Sequence, residues 1–101
     1  MQLYLDPEVE QFVSLLDKHS AAKTLRTIDL LEEFGHKLSM PHSKKVAERL
    51  FELRVRGKQE IRIFYTFYKG GVYLLCGFIK KTQKIPKGKL ERAILKLKRL
   101  T

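Results

Sequence analysis

The chain has 101 residues, 44% hydrophobic and 32% charged, which suits a single domain with a real core and a well-solvated surface. Its one cysteine, Cys76, excludes an internal disulfide and cannot build a thiolate metal centre alone. The formal net charge is +10 and it is unevenly spread: residues 1–40 balance at −3, residues 41–101 at +13. So lopsided a distribution suits a polyanion, with nucleic acid ahead of an acidic protein partner.

The opening "MQLYLDPEVEQF" carries acids where a secretory leader would carry bases. No apolar run approaches the length of a membrane span, so a cytoplasmic protein without membrane contact is expected. Asp6 before Pro7 reads as an N-cap followed by proline at the first helical position. Val9, Phe12, Val13, Leu15 and Leu16 then recur at helical spacing through about His19. Ser20 is expected to cap a second helix with Leu25, Ile28, Leu31 and Phe34 on its apolar side and Leu30 at the margin. Glu32 and Glu33 fall on its solvent side, and Gly35 supplies its stop.

"HKLSMPHSKK" breaks the helical period and reads as a loop carrying His36, His42, Lys44 and Lys45. Alternation follows. Phe51, Leu53 and Val55 point one way, and Glu52, Arg54 and Arg56 the other. Gly57 and Lys58 make a turn into "EIRIFYTFY", with Ile61, Ile63, Tyr65 and Phe67 on one face and Glu60, Arg62, Phe64 and Thr66 on the other. Gly70-Gly71 signals a hairpin, and "VYLLCGFIKK" is apolar on both faces, as a covered strand would be. After the loop "TQKIPKGK", Leu90, Ile94, Leu95, Leu97 and Leu100 suggest a short basic C-terminal helix. The expected fold is α+β: an N-terminal helical hairpin packed on a small antiparallel sheet with a short C-terminal helix, one domain over residues 1–101.

Conventional hydrolytic machinery is scarce. The sequence has no glycine-rich phosphate loop and no His/Cys metal spacing, so no metal or other cofactor is expected. Cys76 reads as a core thiol, and His19, His36 and His42 as exposed side chains, His42 lying nearest the basic segment. The cations are more informative. Arg54 and Arg56 share a strand face, Arg62 returns on the next strand, and Lys80, Lys81 and Lys84 follow the third. Glu52 and Glu60 could neutralise some of them in a cross-strand ladder, but seven cations, Lys58 included, face only those two carboxylates. Guanidinium forks suit phosphate, which they meet with two parallel hydrogen bonds. If chemistry occurs, RNA phosphoryl transfer fits best, since the 2′-hydroxyl is an internal nucleophile and guanidinium groups stabilise the phosphorane. Phe64, Phe78 and Tyr65 offer rings near the cluster for base stacking, although Tyr65 reads more readily as core.

"MPHSKK", "LFELRVRGKQEIRIFYTFY", the Gly-Gly turn and "VYLLCGFIKKTQKIPKGKLERAI" together resemble the RelE/ParE toxin superfamily, in particular its HigB-like, phage-related branch. The resemblance is close over about residues 38–96, and the helical hairpin before it agrees in type and order. It implies a toxin of a type II toxin–antitoxin pair, and in RelE-like members a ribosome-dependent mRNA endoribonuclease that uses basic residues. On that basis Arg54 is the strand cation beside the scissile phosphate and Arg62 the arginine that stabilises the transition state. Lys80 or Lys81 would be the basic residue ending the next strand. Arg56, Lys58, Phe64, Lys84, Lys44 and Lys45 would contact RNA. Glu52 stands where RelE has a lysine, and Gln83 and Lys84 stand where it has a terminal tyrosine, so the general base stays open among Lys58, Lys80, Lys81 and Lys84. The implied partners are mRNA on the ribosome and a cognate antitoxin of the helix-turn-helix, HigA-like type. A ParE-like gyrase-binding toxin and a non-catalytic RNA-binding domain are the alternatives.

Overall fold

The computed structural model describes residues 1–100; the last residue of the expected domain, 101, lies outside them. The chain opens on a strand, β1 (Gln2–Leu5), followed by the helices α1 (Pro7–Ser14) and α2 (Lys18–Phe34). A short 3-10 turn, Gly35–Lys37, leads to the strands β2 (Ser43–Ala47), β3 (Leu50–Val55), β4 (Ile61–Tyr68) and β5 (Gly71–Ile79), and then to the helix α3 (Lys87–Leu100). The strands form one five-stranded sheet in the order β1-β5-β4-β3-β2. Strands β2 to β5 pair antiparallel, whereas β1 runs parallel to β5.

The expected fold is therefore corrected. The helical pair is not N-terminal but lies between two strands, and the sheet is mixed rather than antiparallel. The reason is physical: β1 has only four residues, with Leu3 and Leu5 half-buried and Gln2 and Tyr4 exposed, and it acquires its strand form by pairing with β5. Gly71 leaves room for that approach, since a Cβ there would lie 2.8 Å from the Tyr4 ring.

The first helix is also shorter than expected. It ends at Ser14, and Asp17 rather than Ser20 caps α2, its carboxylate accepting from the Ser20 N–H at 3.2 Å. Asp6 does cap α1 and Gly35, at φ +53°, ends α2. The buried face of α2 is Ser20, Thr24, Thr27, Ile28 and Leu31, while Leu25 and Phe34 are about half exposed. That polar face can be buried because Thr24 and Thr27 donate their hydroxyls to the carbonyls of Ser20 and Lys23. Lys44 and Lys45 belong to β2, not to a loop.

Three layers result. On one face of the sheet, Val9 and Val13 of α1 and Ile28 and Leu31 of α2 pack on Leu53, Ile63, Tyr65, Val72 and Leu74. On the other, Ala93 and Leu97 of α3 pack on Leu50, Phe64, Leu75, Cys76 and Phe78. Each fully buried side chain of this size contributes roughly 1.5–3 kcal/mol. β4 and β5 join through Lys69-Gly70, both at positive φ, which is the two-residue turn whose twist matches a hairpin.

Candidate anion-binding site

The alternation of β3 and β4 decides which side chains meet. Arg54 lies directly opposite Arg62, with Phe78 of β5 next in the row. The neighbouring row is Lys44, Glu52, Phe64 and Cys76. Both rows lie on the α3 face, where directly opposed side chains stand about 5 Å apart. At the end beyond Arg62 no helix residue lines the surface, and a cavity of about 440 Å³ opens there. Its walls are Arg54, Arg56, Glu60, Arg62, Lys80, Lys81, Thr82 and Gln83. The Lys80 N–H donates to the Glu60 carbonyl at 2.7 Å, extending the sheet ladder beyond β5 and fixing the 80–83 loop against the β3–β4 turn.

Two opposed arginines can be buried only with a counter-charge between them, and Glu52 provides it. Its Oε1 lies 3.5 Å from the Nε of Arg54 and 3.5 Å from the Nε of Arg62. The Glu52 and Arg62 side chains are each 3% exposed, and that of Arg54 12%. These contacts are electrostatic rather than hydrogen bonds, since Glu52 Oε2, Arg54 Nε and Arg62 Nε are buried without a hydrogen-bond partner. Arg62 also donates from Nη1 to the Ile61 carbonyl and from Nη2 to Glu60 Oε1, both at 3.1 Å. Arg54 turns its Nη1 to the Met40 sulfur at 3.5 Å, a weak acceptor. The cross-strand ladder thus exists, yet it does not neutralise the site: five cations face two carboxylates, leaving about +3 around the cavity.

The cavity gathers Arg54, Arg56, Arg62, Lys80 and Lys81 from the expected set. Lys84 is exposed on the loop beyond it, and Lys44 and Lys45 are exposed on the edge strand. Lys58, exposed on the β3–β4 turn, faces Asp17; after the Ser20 hydrogen bond, its charge is among the influences holding that carboxylate below its usual range. Phe64 is corrected: it is 0% exposed and packs against Phe78, ring centroids 5.2 Å apart, so it offers no face to a base. Tyr65 is core, its hydroxyl bonded to that of Ser43, and Phe78 is buried. Cys76 is buried too, and burial first, then the charge of Glu8, pushes its thiol up to about 11.

Sequence reasoning missed Lys23. It comes from α2 in the acidic part of the chain, yet with Thr27, Pro41, His42, Arg54 and Arg56 it lines a recess of about 130 Å³. Only the packing of α2 across β3 brings it there, and no linear signal announces it. Among the described residues no three or more His, Cys, Asp and Glu side chains gather to hold a metal ion, and no helix is long and apolar enough to cross a membrane.

Fold and cavity define a small three-layer domain whose open sheet end is suited to an anion. The family model described as Phage derived protein Gp49-like (DUF891) matches residues 11–98, which include every residue of the cavity. The chain belongs to this phage-derived family, a RelE-like toxin family of toxin–antitoxin systems, and membership implies a cognate antitoxin. No curated protein matches it.

Proposed function

We propose that this toxin is a ribosome-dependent mRNA endoribonuclease of the HigB-like branch that arrests translation in the cytoplasm, held in check by a helix-turn-helix antitoxin. The observation that carries this reading is the Arg54–Arg62 pair at the floor of a cavity that keeps about +3 of charge. An RNA phosphodiester supplies the missing negative charge, and Arg54, Arg56, Lys80 and Lys81 are the groups on the walls that receive it. The 2′-hydroxyl attacks the adjacent phosphorus, losing its proton to a base. The bond to the 5′-oxygen breaks, that oxygen takes a proton, and a 2′,3′-cyclic phosphate and a 5′-hydroxyl remain. Charge accumulates on the phosphorane oxygens, where cations fixed in advance are most effective.

Induction in cells tests this. The wild-type protein is expected to stop growth and create new mRNA 5′ ends inside translated codons. The Lys80→Gln/Lys81→Gln protein is expected to do neither while remaining folded. Growth arrest with intact mRNA and blocked replication would instead identify a gyrase-directed toxin.

A further inference from the structure

Arg62 lines the cavity, and in the free protein each of its three side-chain nitrogens already faces a protein oxygen. Nη1 is bonded to the Ile61 carbonyl, Nε faces the buried Glu52, and Nη2 is bonded to Glu60. These partners are not equivalent. A main-chain carbonyl inside the sheet cannot leave, and Glu52, at 3% exposed, has nowhere to go. Glu60 is different: its side chain is 43% exposed, it sits where β4 begins, and it is itself a wall of the cavity. Its carboxylate therefore has water as an alternative partner, so of the three contacts this one, buried on the arginine side only, is the one most easily exchanged.

We propose that Glu60 is an internal occupant of the phosphate site, a carboxylate that satisfies Arg62 Nη2 until a phosphodiester oxygen takes its place. This rests on the reading of the cavity as a phosphate site and adds an exchange to it. Phosphate binding is then a swap at Arg62 rather than an addition. Glu60 swings to solvent, the guanidinium keeps its two internal partners and hence its orientation, and Nη2 turns from carboxylate to phosphate. The swap lowers affinity for any anion that cannot also engage Arg54, Arg56, Lys80 and Lys81. Glu60 thereby favours a chain of phosphodiesters over a free phosphate ion.

The probe is a 2′-O-methylated single-stranded RNA, which binds but lacks the attacking hydroxyl, titrated against wild type, Glu60→Gln and Glu60→Asp. Glu60→Gln is expected to bind roughly threefold tighter or more. Glu60→Asp keeps the charge but draws it one methylene away from Arg62, and is expected to bind tighter than wild type as well. If Glu60→Gln binds tighter and Glu60→Asp matches wild type, the carboxylate acts only through its field and the occupant role is overturned. Equal affinity of all three would overturn it too, while salt-sensitive binding by wild type would leave the phosphate site standing. No binding by any of the three would overturn both.

Discussion

Glu52 makes substitutions on the cavity floor costly in a way that those on its walls are not. Removing Arg62 leaves a 97%-buried carboxylate with one partner instead of two, a loss that approaches the cost of unpairing a buried charge outright, about 3–5 kcal/mol. Arg62→Ala is therefore expected to melt markedly lower than wild type, and its loss of toxicity cannot by itself assign a role in chemistry. Lys80 and Lys81 have no ion-pair partner among the described residues, so Lys80→Gln/Lys81→Gln is expected to melt within about 2–4 °C of wild type. Its RNA affinity should depend less on salt, the log–log slope becoming shallower by about 1.4 for two single-strand phosphate contacts. An unchanged slope with unchanged melting would remove the lysines from the site. At this scale the arginine pair was legible, because a two-residue period alone puts Arg54 and Arg62 on one face. The carboxylate between them was legible only as an alternative. Whether Glu52 turns in or out depends on what lies beneath it, and its neighbours in the row, Phe64 and Cys76, close that side.

The docking of α3 on the sheet depends on a polar tie as well as on its apolar side. Lys96 donates to Asp6 at 2.9 Å, to Glu8 at 2.8 Å and to the Leu75 carbonyl at 3.0 Å, while Arg92 reaches Glu8 at 2.6 Å. Leu75 is the extra residue at the β5 register shift, between Leu74 opposite Tyr65 and Cys76 opposite Phe64. Burial pushes the Asp6 and Glu8 carboxyls up, but their hydrogen bonds and the facing cations outweigh it and hold both below their ordinary 3.8 and 4.5. With folded values below unfolded ones, this contribution is complete above about pH 5 and disappears as the pH falls through the carboxylate range. Thermal melts from pH 7 to pH 3 should fall steeply for wild type and less steeply for Lys96→Met; parallel curves would show that the tie adds no pH-dependent stability. The helices and β4 were readable from their periods, and β5 from its unbroken apolar run. β1 and the α2 cap were not: the strand is defined by a partner 69 residues away, and Asp17 had to be preferred over Ser20 three residues later.

Across the whole molecule, the split between an acidic first part and a basic remainder becomes geometry. The helical layer of α1 and α2 covers one side of the sheet, and the cavity takes its cations from β3, β4 and the loop after β5 on the other. The resemblance, close over residues 38–96, falls inside the family match at 11–98, and the Arg54, Arg56, Arg62, Lys80 and Lys81 it singles out line one cavity. It could not show Lys23 reaching toward that end from α2, since only tertiary packing joins them. In the proposed reaction this cavity directs an RNA 2′-hydroxyl against its own phosphate. The most direct measurement is the chemistry of the ends made when the purified toxin meets ribosomes programmed with a defined mRNA. Breaks inside codons that leave a 5′-hydroxyl and a 2′,3′-cyclic or 3′-phosphate are expected. Breaks leaving a 5′-phosphate, which require water as the nucleophile, would contradict the proposed reaction, as would an intact message at toxin concentrations that saturate the ribosome.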